Sequence, residues 1–248
     1  MNSSNPDLQH STLNPQHFPP QRLGLLGGSF NPIHNCHLTI AHHVYERMQL
    51  SQVLFIPTGD APHKRDGSLA PANVRYEMVR LAIADNPLFT VSDIEIQRKG
   101  KSYSIDTVRA LQQHYSPSTE LFFIIGLDAF LDFPTWREPH ELLMICHFVV
   151  VPRPGQSFRA LAEMPLLPNL HPLALAQLDN GEQRRLDIVV PSCPGITCLA
   201  IPPCPTSASE IRRRVRSGLP LANILPPPVE SYILRHSLYQ EDNNRTRI

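Results

Sequence analysis

Short apolar runs of strand length alternate along the chain with stretches whose apolar positions recur every three to four residues. Arg22 to Gly27 is an apolar run closed by glycine and predicts a buried first strand. The spacing of Leu38, Ile40, Ala41, Val44 and Met48 then predicts a helix. Gln52–Pro57 (QVLFIP) reads as a second strand, and Thr58 to Pro71 as a polar loop. Ala72 to Ala84 predicts an amphipathic helix, after which the alternating stretch FTVSDIEI (89–96) suits a strand. A helix over 105–114 leads to the strand LFFII (121–125), and a helix begun at Glu138–Met144 leads to the strand CHFVVV (146–151). This alternation predicts an α/β fold with a doubly wound parallel sheet, closed by two C-terminal helices at about 207–217 and 228–237.

Two regions break the rhythm. Residues 1–21 combine Asn, Ser, Gln and Pro with little to bury and read as a disordered tail, and 241–248 as a second polar tail. Between Pro152 and Pro205 proline becomes dense, and 156–195 predicts an irregular insertion with a strand or two nearby (LDIVV, 186–190; ITCLAI, 196–201). One α/β domain over 22–240 is therefore expected.

Lys+Arg and Asp+Glu both number 22, so the chain lacks the broad basic footprint of a general nucleic-acid binder, although local sites for small anions remain compatible. No apolar run approaches the ~18 residues of a membrane span, and the first 21 residues lack the apolar core of a secretory signal. The five cysteines (Cys36, Cys146, Cys193, Cys198, Cys204) are odd in number and irregularly spaced. They argue against a disulfide framework and offer no C-x-x-C pair for zinc. The expectation is a reduced, cytoplasmic protein.

The chemistry gathers first at Gly27-Gly28-Ser29-Phe30-Asn31-Pro32-Ile33-His34-Asn35-Cys36-His37-Leu38, between the first strand and the first helix. Open α/β sheets place ligands at such a junction. The glycines fit neither the dinucleotide fingerprint nor a Walker loop. They do permit close backbone approach, and two histidines three apart stand beside a helix N-terminus, where exposed N–H groups and the helix dipole favour phosphate.

This segment resembles the G-G-T-F-D-P-I-H-x-G-H-L signature of bacterial nicotinate-nucleotide adenylyltransferases, in the H-x-G-H nucleotidyltransferase superfamily. Further blocks follow in the family's order: Pro62-His63-Lys64, Ser102-Tyr103-Ser104 with Asp106-Thr107, and Ile125-Gly126-Leu127-Asp128. Phe133-Pro134-Thr135-Trp136, Arg153-Pro154-Gly155 and Ser207-Ala208-Ser209-Glu210-Ile211-Arg212 complete the set. The departures are Ser29, Asn31 and Cys36, which stand where the family has Thr, Asp and Gly, with Ala208 and Ser209 in place of its second Ser and its Thr.

The resemblance implies a Rossmann-like fold and transfer of AMP from ATP to the 5′-phosphate of nicotinate mononucleotide, giving deamido-NAD. A phosphate monoester already carries roughly −1.5 to −2 charge and needs no general base, so positioning and electrostatics should supply most of the catalysis. The implied catalytic set is His34, His37, Lys64 and Arg212. ATP would meet Gly28, Ser29, Phe30, Gly126, Asp128, Arg153 and Ser209 as well. Ser207-x-x-Glu210 is a capping-box pattern that puts Arg212 near a helix start. Ser102, Tyr103, Ser104 and Trp136 would border the nicotinate ring, and the Cys36 thiol is expected beside the nucleotide. Mg2+ bridging the phosphates is implied by the chemistry, with no protein ligand for it evident. A related enzyme accepting nicotinamide mononucleotide, and a non-catalytic nucleotide-binding regulator, remain open alternatives, as does a homo-oligomer.

Overall fold

The computed structural model describes residues 21–60, 69–202 and 204–240; both expected tails, apart from Gln21, and the loop bearing Lys64 lie outside them. The first half runs β1 (Arg22–Gly28), α1 (Asn35–Arg47), β2 (Gln52–Pro57), α2 (Ala72–Ile83), β3 (Phe89–Val91), α3 (Ile94–Gln97) and α4 (Ser104–His114). It continues with β4 (Glu120–Gly126), α5 (Leu127–Leu131), α6 (Pro139–Ile145) and β5 (His147–Val151). α7 (Pro172–Asp179), β6 (Arg185–Ile188), β7 (Ile196–Leu199), α8 (Ala208–Arg216) and α9 (Pro227–Arg235) complete the described order.

The strands form one sheet in the order β3-β2-β1-β4-β5-β7-β6, parallel throughout except for the antiparallel edge pair β6–β7. Apolar residues fill both faces, as buried parallel strands require. In β4, Leu121, Phe123 and Ile125 pack toward α4, α5 and α6, while Phe122 and Ile124 pack toward α1, α2, α8 and α9. The chain winds outward from β1 to β3 and then returns to β4 beside β1. Open sheets bind ligands at such a reversal, outside the carboxyl ends of the strands.

Three expectations are corrected. The alternation over 89–96 gives a strand only through Val91; the remainder turns into α3, because β2 offers partners only to Phe89, Thr90 and Val91. The proline-dense insertion is not irregular throughout. A 3-10 turn at Phe158–Glu163 and α7 bury Phe158, Leu161, Leu175 and Leu178 in the core on the α4 side. Most directly, Cys36 and Cys204 are joined by a disulfide, leaving Cys146, Cys193 and Cys198 free. Spacing could not show the pairing, since it joins positions 168 apart that only the packing of α1 beside the approach to α8 brings together. Cys36 is therefore buried at 3% exposure, rather than open as expected beside a nucleotide.

Candidate active site

Where β1 ends, the backbone of Gly27 and Gly28 runs into a tight connection to α1, whose N-cap is His34. A buried guanidinium holds this connection in place. Arg75 donates from Nη1 to Ser29 O (2.8 Å), from Nη2 to Thr58 O (2.6 Å) and from Nε to Ala70 O (2.9 Å). Carbonyls from the β1–α1 and β2–α2 connections thus converge on one cation at 1% exposure. Asn31 is buried too. Its Oδ1 accepts from Ala70 N (3.0 Å) and Tyr239 Oη (2.9 Å), and its carbonyl accepts from Arg212 Nη1 (2.7 Å).

The two histidines lie with ring centroids 3.8 Å apart. The backbone N–H of His34 donates to His37 Nδ1 at 3.2 Å, which leaves the His37 proton on Nε2. Phe30 sets its ring edge-to-face against His37 at 5.0 Å and is itself buried behind it. Burial, reinforced by the Arg153 charge, lowers the His34 pKa to about 4. His37 is held well below its ordinary range by burial, by its neighbour His34 and by Arg153. Both rings are neutral near pH 7, so each acts as a dipolar donor rather than a cation. His34 Nδ1 is buried without a hydrogen-bond partner among the described residues.

β4 ends at Gly126, directly before α5. A side chain there would meet Arg153 Nε and Asp128 Oδ1, each 2.6 Å from its Cβ, so the close approach of these two groups requires glycine. Arg153 Nε donates to Asp128 Oδ1 at 3.3 Å.

At the far side, Tyr103 is the N-cap of α4 and Ser104 its first residue, so the unpaired N–H groups of a second helix start face the same region. Trp136 closes the 3-10 turn Phe133–Thr135 and packs edge-on against Phe123 at 6.1 Å. Beneath, Glu95 accepts from Thr107 Oγ1 (2.9 Å), which accepts in turn from Arg98 Nη1 (2.9 Å). Burial raises the Glu95 pKa, with Thr107 and Arg98 pulling the other way. The Arg137 guanidinium lies 4.8 Å over the Tyr103 ring.

A cavity of about 540 Å³ joins these parts. Of the expected residues, Gly28, His37, Ser102, Tyr103, Ser104, Gly126, Trp136 and Arg153 line it. His34, Ser29, Phe30, Asp128, Ser209 and Arg212 are not among its walls. Arg212 nevertheless reaches the β1–α1 connection and takes Ser209 Oγ as a second acceptor at 3.2 Å. Ser207 caps α8 by accepting from Glu210 N (3.2 Å), but the Glu210 carboxylate pairs with Arg213 and Arg214, so only half of the expected capping box forms.

Sequence reasoning missed Arg75, Glu95 and Arg137, and gave Thr107 no role beyond its place in a matching block. Arg75 had a signal: it shares the buried stripe of α2 with Met78, Val79 and Ile83, and a charge on an apolar stripe must find partners. Arg137 adjoins Trp136 in sequence. Glu95 was hidden by its placement on a supposed strand.

A parallel sheet with its cavity at the β1/β4 reversal, and paired histidines at a helix start, defines a nucleotide-handling α/β domain. The family model described as cytidylyltransferase-like matches residues 25–214, and the chain belongs to that family. Among its relatives, a protein of Geotalea uraniireducens (strain Rf4) named "Probable nicotinate-nucleotide adenylyltransferase" is 42% identical over 220 residues, covering 89% of this chain and 99% of its own. The protein of that name from Geobacter metallireducens is 44% identical over 221 residues, with the same coverage of each chain. The solved nicotinic acid mononucleotide adenylyltransferase of Plasmodium falciparum, complexed with NaAD, shares the fold. It matches with a TM-score of 0.63 at 16% identity, covering 88% of this chain and 97% of its own.

Proposed function

We propose that the chain transfers AMP from ATP to nicotinate mononucleotide, forming deamido-NAD and pyrophosphate in NAD biosynthesis. The observation that carries this reading is the continuous cavity running from the His37 side of the α1 start to the Trp136 side of the α4 start. Relatives at 42% and 44% identity bear the name of that activity.

In this reading an oxygen of the acceptor 5′-phosphate attacks the α-phosphorus of ATP, and the bond to the β-phosphate breaks. Charge then grows on the departing pyrophosphate. His37 donates from Nε2 to the phosphates, with the α1 N-terminus behind it. Arg212 adds positive charge from α8, with Ser209 alongside, and Lys64 does so from its loop. Asp128 accepts from ribose hydroxyls. Trp136 stacks on the pyridine ring, and the α4 N–H groups receive its carboxylate. Mg2+ would enter with the nucleotide and offset the charge on its phosphates. The proposed setting is cytoplasmic; no described helix is long and apolar enough to cross a membrane.

The test is pyrophosphate release from ATP with each acceptor in turn. Donors facing a carboxamide NH2 would be left unpaired, so nicotinate mononucleotide should be preferred over nicotinamide mononucleotide by about tenfold or more in kcat/KM. Equal efficiency would remove the deamido assignment, and release with neither acceptor would leave nucleotide binding alone.

A further inference from the structure

Cys36 sits between the two histidines of the phosphate end and directly precedes His37. Its bond to Cys204 brings Cα atoms within 5.6 Å across 168 positions of sequence. On the far side of the bond, Cys204 lies three residues before Ser207, the cap of α8, whose first turns bear Ser209 and Arg212. The disulfide thus couples the backbone that carries His34 and His37 to the segment that delivers Arg212. Pro202 and Pro205, which flank Cys204 in that segment, have no backbone N–H to donate.

The other cysteines are poor competitors for exchange, because the thiolate is the reactive form. Burial pushes the Cys198 thiol up to about 12 and raises those of Cys146 and Cys193 as well. α8 and α9 bury Ile211, Val229 and Ile233 in the core through contacts that do not involve the bond, so opening it should loosen a junction without dismantling the fold.

We propose that Cys36 and Cys204 are a reversible thiol–disulfide pair that sets how firmly the phosphate end holds ATP. Closed, the bond fixes the approach to α8 against the start of α1, with Arg212 on the Asn31 carbonyl. Opened, it releases that approach. The proposal rests on reading the cavity as the ATP site.

The chemistry needs a dithiol. One of its thiolates attacks Sγ of Cys204, the more exposed of the two residues, and the S–S electron pair passes to Sγ of Cys36. That sulfur belongs to the first turn of α1, where the helix N-terminus favours a thiolate, and it then takes a proton. The second thiolate of the reductant breaks the mixed disulfide; Cys204 leaves, takes a proton, and the reductant ends as its own disulfide. Two electrons and two protons reach the protein. A small disulfide oxidant reverses the sequence.

Linkage supplies the test: if the closed bond strengthens ATP binding, ATP must favour the closed bond by the same factor. The full chain is equilibrated in mixtures of reduced and oxidised dithiothreitol, with and without saturating MgATP. It is then quenched in denaturant with an alkylating reagent and weighed. The closed form carries three alkylated cysteines and the open form five. ATP should shift the equilibrium toward the closed form about threefold or more, and calorimetry should give the reduced protein an ATP Kd larger by the same factor. Cys204→Ser should bind ATP like reduced protein in every redox buffer. A redox equilibrium indifferent to ATP, with equal Kd in the two forms, overturns the proposal and leaves a passive staple. Both readouts are binding equilibria, so an ATP-sensitive bond in a chain that releases no pyrophosphate would sink the transfer reading while this inference stood. Absence of ATP binding in both forms would overturn the two together.

Discussion

The α1 end of the cavity carries neutral imidazoles, with a buried arginine network behind them and a covalent tie beside them. At the α4 end it offers aromatic walls, serine hydroxyls and a carboxylate kept under cover. Both ends use a helix N-terminus, so the difference lies in what surrounds it. Phosphates, which the proposed function puts at the first end, are flexible polyanions that need many fixed donors, and Arg75, Asn31 and Arg212 immobilise that end. A pyridine ring is flat and rigid, and under the proposed function Trp136, set edge-on to Phe123, would give it a surface already positioned by core packing. The lesson is that preorganisation comes from buried hydrogen bonds at one end and from ring packing at the other.

The two ends should respond oppositely to pH, and this is the largest effect expected. The His34 pKa in the folded chain is lowered from 6.5 to about 4. Between these values the unfolded chain binds a proton that the native site refuses. The contribution is therefore whole above pH 6.5 and is lost as pH falls toward 4, amounting to ~3 kcal/mol for His34 alone. Glu95 has the reverse sign: its pKa is raised from 4.5, so its contribution is present below that value and fades as pH rises through the folded pKa. Denaturant midpoints at pH 7 and pH 4.5 should show His34→Gln losing much less stability than the parent on acidification. Equal losses would mean that the α1 end does not hold its histidine neutral.

Catalysis should separate the ends next. His37→Ala removes a donor aimed into the cavity while Phe30 keeps its burial from other neighbours, so kcat should drop about 10²-fold with the circular dichroism unchanged. Near-normal turnover would disprove the phosphate contact. Trp136→Ala should instead raise KM for nicotinate mononucleotide about tenfold, the scale of one aromatic pairing, and leave KM for ATP nearly untouched. A matching rise in both constants would show that the aromatic wall serves the whole cavity rather than one end.

How much of this could be read from sequence follows from the range of the contacts involved. The strands β1, β2, β4 and β5 announced themselves because each is an uninterrupted apolar run, and the paired histidines because they follow a glycine turn three positions apart. α7 did not, since a short helix opened by proline inside a proline-dense stretch has too few turns for a rhythm. The alternation through Glu95 misled because periodicity cannot know that the sheet ends at Val91. The disulfide and the partners of Arg75 were invisible for the same reason as each other: they are positions whose neighbourhood exists only after folding, although the place of Arg75 on an apolar stripe signalled that it had partners.

The smallest effect tests whether the C-terminal segment belongs to the phosphate end. Tyr239 donates its hydroxyl to Asn31 Oδ1 at 2.9 Å, and burial raises its pKa above the ordinary tyrosine range. Asn31 Oδ1 also accepts from Ala70 N, so Tyr239→Phe leaves that oxygen bonded rather than orphaned. The cost should stay near that of one ordinary hydrogen bond, about 1 kcal/mol, and be read as a lowered denaturant midpoint. Because the same connection carries the carbonyl on which Arg212 rests, KM for ATP should rise by up to about threefold while KM for nicotinate mononucleotide holds. A shift confined to the pyridine substrate would assign this tyrosine, and the segment after α9, to the other end of the cavity.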